Sequence, residues 1–288
     1  MGKFKSVLIF LVSFFLMFAV IIMQLSFFTN FKVLNGEFYK NTLNKGDYFS
    51  LMKKDIDYGF ENMSMITSIP KDIFVISVSD EAIKQLAYKN ISSAEAYMKY
   101  NSKYINNKMD TAIIYDNLKT YVQRYNIKLV ENLKNQLLEV SVDVGNITTN
   151  HAVLFNISAV DKYPQFQSFR RLIYLLYSIK FISIAAVLLI LTLLVFLNRN
   201  IPRKIFLWTG SSFIPAAIMT LVPSFLALYY KIPNRFAIDS AYLNLALKDI
   251  SLGYIKYFTI TGVIILLIGI SSMCIYNYLN NKAYSNQK

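Results

Sequence analysis

Residues Val7–Phe28 read VLIFLVSFFLMFAVIIMQLSFF, twenty-two positions without one charged side chain. About 20 mainly apolar residues in a helix cross the roughly 30 Å of hydrocarbon in a bilayer. This run therefore predicts a membrane-spanning helix over residues 7–28. It follows Lys3 and Lys5, as a secretory signal does, but it is longer than the 7–15 residues of a signal-peptide core. Ser26-Phe27-Phe28-Thr29-Asn30 supplies no small-x-small cleavage site, so the run reads as a retained signal anchor.

Three further stretches have the same character. Phe181–Leu197 is uncharged, and Leu172–Ser178 extends it past Lys180. Ile205–Tyr230 is uncharged and holds the single tryptophan, Trp208. Phe258–Ile275 is uncharged, and Tyr254–Tyr257 extends it past Lys256. Lys180 and Lys256 sit at the edges of apolar runs, where a lysine lays its stem along the helix and puts its ammonium at the interface. The composition agrees: 55% of the 288 residues are hydrophobic and 16% are charged, against roughly 45–50% and 25% in soluble domains.

The net charge of +13 records orientation more than a nucleic-acid partner. Residues 1–6, 198–204 and 280–288 hold Lys3, Lys5, Arg199, Arg203, Lys204, Lys282 and Lys288 and no acid. Residues 30–172 are near balance, with 18 basic and 15 acidic side chains. An excess of Lys and Arg in short loops marks the cytoplasmic side. The expected class is an all-α membrane protein with four transmembrane helices and a mainly helical extracytoplasmic domain between the first and second spans. The expected segments are a cytoplasmic N-terminus at 1–6, span one at 7–28, the outer domain at 29–172 and span two at 173–197. A cytoplasmic loop at 198–204, span three at 205–230 and an outer loop with a short helix at 231–253 follow. Span four at 254–279 and a cytoplasmic C-terminus at 280–288 complete the chain. The expected location is the plasma membrane, multi-pass, with both termini cytoplasmic.

Within the outer domain, helices are expected at Glu37–Leu43 and Asp47–Met63, split at Gly46. A short helix is expected with Pro70 in its first turn, and others at Glu81–Lys89 and from Ser93 to about Lys103. Apolar positions from Ile113 through Tyr121, Val122, Tyr125, Leu129 and Val130 to Leu138 keep gaps of three and four, which predicts one long helix over Met109–Val140. Asp110 or Thr111 is its expected N-cap. Residues 147–163 read equally as a small strand or a packed loop. The stretch Ala237–Leu252 reads as a helix, packed either on the outer domain or on the membrane surface.

Residues able to carry chemistry are few. One histidine, His151, and one cysteine, Cys274, exclude a disulfide within the chain and leave a metal centre without its usual clustered ligands. His151 reads as structural or exposed, and Cys274 as a packed thiol near the inner end of span four. The chain has no phosphate-binding glycine loop and no Gly-x-Ser-x-Gly elbow. Asp55/Asp57 and Asp80/Glu81 are paired in sequence only, since neighbours on a helix do not face each other. In span three, Gly210, Ser211, Ser212, Pro215 and Pro223 read as a kink rather than a transport site. No catalytic, cofactor-binding or metal-binding residue is assigned, and no cofactor.

The run Val33-Leu34-Asn35-Gly36-Glu37-Phe38-Tyr39-Lys40-Asn41-Thr42-Leu43, with Gly46-Asp47-Tyr48 after it, resembles the segment that follows the first span in uncharacterised bacterial four-span membrane proteins. The basic turn Asn200-Ile201-Pro202-Arg203-Lys204 is similar to theirs also. That resemblance implies a helical outer domain and no activity. The layout also resembles permease subunits of the FtsX and MacB type, but about six residues precede the first span and about seven join spans two and three. Those permeases touch their ATPase through inner helices, for which there is little room here. The expected function is therefore a non-enzymatic envelope protein. Its outer domain would bind a partner protein, lipid or cell-wall component, with membrane lipids as further partners and no nucleic acid. A homo-oligomer is allowed. The alternative is a permease subunit working with a separate ATPase.

Overall fold

The computed structural model describes residues 3–100 and 103–285. Lys288, one of the basic residues used for orientation, lies outside them. Among the described residues every regular element is helical, with no strand. The chain divides into two compact units. The first comprises residues 1–34, 171–236 and 250–288, and the second 35–170 and 237–249.

The first unit is built on four helices long and apolar enough to cross a membrane. Helix α1 (Lys3–Phe28) continues as one π-helical turn, Thr29–Val33. That turn closes with the Leu34 amide donating to the Thr29 carbonyl at 2.8 Å. The expected second span is two helices. Helix α9 (Pro164–Ser178) stops, Ile179 intervenes, and α10 (Lys180–Leu197) begins. The last carbonyls of α9 have no intrahelical partner, and α1 supplies donors for them. Ser26 Oγ donates to the Leu176 carbonyl at 2.6 Å, and Asn30 Nδ2 to the Tyr177 carbonyl at 3.3 Å. The sequence holds no proline or glycine at this break, which is why the apolar run reads as continuous.

Helix α11 (Arg203–Tyr229) runs unbroken through Pro215 and Pro223. It crosses α12 (Ala241–Ser285) at glycines. A Cβ on Gly269 would lie 3.0 Å from the Ile214 amide nitrogen and 2.8 Å from Ile214 Cγ1, and one on Gly210 would lie 3.0 Å from the Gly269 carbonyl. Small residues let membrane helices approach closely where apolar surface alone gives no driving force. Ser212 Oγ adds a bond to the Ser13 carbonyl of α1 at 2.7 Å. The buried side chains Leu16, Val20, Leu194, Ala216 and Ala217 fill the centre. Large apolar side chains such as Phe15, Phe181, Leu189 and Phe196 point outward and are more than 60% exposed. A surface of that kind needs lipid around it.

The second unit has its own core. In α3 (Tyr48–Thr67) the buried residues Tyr48, Met52, Ile56 and Phe60 recur every four positions and form one stripe. Phe60 meets Phe74 of α4 (Lys71–Ser77), ring centroids 6.1 Å apart. The expected helix over 109–140 is two helices, α6 (Thr111–Arg124) and α7 (Glu131–His151). Asn126 takes a left-handed φ of 55°, a conformation asparagine tolerates better than most residues. Its amide donates to the Gln123 carbonyl and that of Ile127 to Val122, which closes α6 in a Schellman motif. Both helices carry gaps of three and four, so their apolar stripes run on in phase and conceal the turn. Asp110 is the N-cap of α6 and accepts from the Ala112 amide at 2.9 Å.

The opposite correction applies to 80–100. One helix, α5 (Asp80–Tyr100), replaces the two expected. Ser93 does not cap a new helix. Its Oγ donates to the Ile105 carbonyl at 2.6 Å and accepts the Ile105 amide at 3.0 Å. Asn90 likewise accepts the Asn107 amide at 2.9 Å, so the two side chains hold residues 105–107 along α5. Helices α2 (Gly36–Asn44) and α3 are separate around Gly46, as expected. Residues 152–163 contain a turn and the single-turn helix α8 (Ile157–Val160) rather than a strand. The segment 237–249 belongs to this unit. It holds the start of α12, a single 45-residue helix, so the expected separation of a loop helix from span four is not present.

Replacing Gly269 by valine forces side-chain atoms into the α11 backbone. The expected loss is about 1–3 kcal/mol of bundle stability, the usual cost of overpacking. Thermal unfolding of purified detergent-solubilised protein, Gly269→Val against Gly269→Ala, measures it, with valine the more damaging.

Candidate functional site

The residues singled out in the sequence do not assemble into a catalytic centre. Asp80 pairs with Lys53, and Glu81 accepts from Gln85 at 3.3 Å. Asp57 lies in a shallow cleft with Lys53, Lys54 and Asp80, whereas Asp55 acts on His151. The two carboxylates thus serve different sides of α3. Cys274 is exposed on α12 rather than packed, because the helix turns that face outward. Among the described residues no group of three His, Cys, Asp or Glu is placed to hold a metal ion.

His151 closes α7 and shares a hydrogen bond with Tyr242 Oη, Nδ1 to oxygen 3.2 Å. Tyr242 in turn packs edge-on against Tyr48, centroids 5.4 Å apart. Burial pushes the His151 imidazole below its ordinary value, and the Asp55 carboxylate opposes that shift. Burial, helped by the Tyr242 hydroxyl, pushes the Tyr48 phenol up. This cluster joins the start of α12 to α3 and α7. A second cluster ties α5 to α9: Tyr97 donates to Asp161, Arg170 donates to the Tyr97 carbonyl at 2.9 Å, and its guanidinium lies 3.7 Å from the Tyr97 ring centroid. The second cluster is satisfied internally, whereas in the first the buried Tyr48 hydroxyl has no hydrogen-bond partner among the described residues; both act as struts.

The opening of a different character is a groove of ≈ 670 Å³ in the second unit, lined by Lys40 of α2, by Gln85, Tyr88, Lys89 and Ser92 of α5, and by Lys103, Ile105 and Asn107. No carboxylate lines it. Lys40 is paired with Glu37 at 2.9 Å, while Lys89 and Lys103 are exposed and have no ion-pair partner among the described residues. The Tyr88 hydroxyl is buried without a hydrogen-bond partner among the described residues, and the Lys40 and Lys84 ammoniums each lie 5.8 Å from its ring centroid. The groove exists because α5 continues through Ser93 and holds 105–107 at its side. In the sequence Lys40, Lys89 and Lys103 are scattered in a domain near charge balance, and only the continuity of α5 brings them to one opening.

Sequence inspection also passed over Gln24. It is 4% exposed within the first unit, and its Nε2 donates to Thr261 Oγ1 at 2.6 Å. A lone amide in an otherwise apolar run was the available signal. Interhelical bonds of this kind are worth roughly 0.6–2 kcal/mol in membranes. No protein-family model, curated protein or solved structure matches the chain.

An unfolded histidine titrates near pH 6.5, so with a lowered folded value the unfolded state binds the proton first. Stability contributed by neutral His151 is therefore present above about pH 6.5. It falls as pH drops from there through the folded value. Thermal unfolding at pH 7.5 and pH 5.5 should show a smaller pH-induced loss in His151→Gln than in the parent protein.

Proposed function

We propose that this chain is a non-catalytic, multi-pass membrane protein whose helical unit lies outside the cytoplasm and binds a ligand in the lysine-lined groove. The observation that carries the reading is the groove itself: three lysines, two of them without an ion-pair partner among the described residues, and no carboxylate in the lining. Lysine charges gathered with only Glu37, on Lys40, as a counter-charge cost self-repulsion, and a ligand of opposite sign relieves it. The four apolar helices support anchorage in a membrane, and the acid-free basic segments at 198–204 and near both ends support an orientation with the termini in the cytoplasm. The plasma membrane is the bilayer this orientation implies.

A photo-crosslinking amino acid at Gln85 or Ser92 tests the reading in intact cells. Both positions are exposed in the groove. The expected outcome is an adduct formed at these positions and not at Arg124, exposed at the end of α6. Equal adducts at all three, or none, would contradict it. Recovery of an ATPase bound instead through residues 198–204 would favour a permease subunit.

A further inference from the structure

Resting on the groove reading above, we infer that the ligand class is a phosphate-bearing one, bound through Lys40, Lys89 and Lys103. The cations in the lining are all lysines, with no arginine among them. Lysine binds phosphate as a point charge with three rotatable donors, and a phosphate group, which carries about −1.5 to −2 charges against −1 for a carboxylate, answers several lysines at one opening. Ser92 adds a hydroxyl to the same opening, while the side-chain amides of Gln85 and Asn107 are engaged by Glu81 and by Asn90 and Ile105. The Tyr88 hydroxyl adds a donor that has no partner among the described residues. Lys84, outside the lining but 5.8 Å from the Tyr88 ring centroid, raises the local positive potential. A volume of ≈ 670 Å³ takes a ligand of several phosphates, or a phosphate with an attached organic group, which matches pockets of roughly 300–1,000 Å³ for small-molecule ligands.

Two sources share this chemistry, a soluble phosphate compound and a lipid headgroup. The full chain, reconstituted in phosphatidylcholine nanodiscs, is titrated by calorimetry with tripolyphosphate, with dioctanoyl phosphatidylglycerol and with citrate as a carboxylate of comparable charge. Binding of either phosphate probe at least tenfold tighter than citrate is the expected result, and which of the two binds assigns the source. The double variant Lys89→Glu/Lys103→Glu, both exposed positions, should lose at least tenfold in affinity, and raised salt should weaken the parent's binding. The control Arg124→Glu/Lys128→Glu, also exposed and outside the lining, should bind like the parent. Citrate bound as tightly as the phosphate probes would overturn the phosphate assignment and leave the anion groove standing. No binding of any anion, or equal losses in both double variants, would overturn the groove as well.

Discussion

Hydrocarbon offers no hydrogen-bonding partner, so each backbone amide and carbonyl inside it must be satisfied by the protein itself. That constraint explains the most unusual feature of the apolar unit. The helical run toward the second span breaks at Ile179, and Ser26 and Asn30 of α1 turn to the Leu176 and Tyr177 carbonyls. The π turn at Thr29–Val33 widens α1 where Asn30 bonds the Ser26 and Tyr177 carbonyls. Elsewhere the same constraint is met by proximity: glycines at 210, 262 and 269 bring α11 and α12 close, and Gln24 reaches Thr261.

The helical unit follows the rules of water instead. Its α3 stripe of Tyr48, Met52, Ile56 and Phe60 buries one face, and its polar groups divide by role. Asn90 and Ser93 are spent on holding the 105–107 segment. His151, Tyr242, Tyr97, Asp161 and Arg170 are spent on struts. Of the groove's lysines, Lys40 is paired with Glu37, whereas Lys89 and Lys103 have no ion-pair partner among the described residues, and the proposed ligand site rests on that contrast. Helix α12 contributes Tyr242 to this unit and then runs on as an apolar helix of the other, with no loop between.

What was legible in the sequence was whatever depends on composition over a long window. The four apolar helices and the helical class rest on runs of about twenty residues, where single side chains matter little. The helix start at Asp110 was legible because a short polar side chain can cap the amides that follow. The misread boundaries at Ser93 and Ile179 share one cause: hydrogen bonds from residues distant in sequence decide a local boundary. Ser93 has the chemistry of a cap, but its partner at Ile105 keeps α5 whole. At Asn126 the stop is local, an asparagine in the left-handed conformation that ends α6, and the in-phase apolar stripes of α6 and α7 hid it. Ile179 is apolar and β-branched, and the break there depends on donors about 150 residues away, as the Ser26–Leu176 bond shows. The groove was invisible for the same reason, since its lysines meet only if α5 continues.

Cysteine labelling of intact cells tests the central claim most directly, that four helices cross the membrane with the helical unit on the outer side. On a Cys274→Ser background, single cysteines replace Lys89, Asp116 and Arg199 in turn. A membrane-impermeant maleimide should label the first two without permeabilisation and the third only after it. Labelling of Arg199→Cys from outside, or protection of both Lys89→Cys and Asp116→Cys until the membrane is opened, would contradict the account.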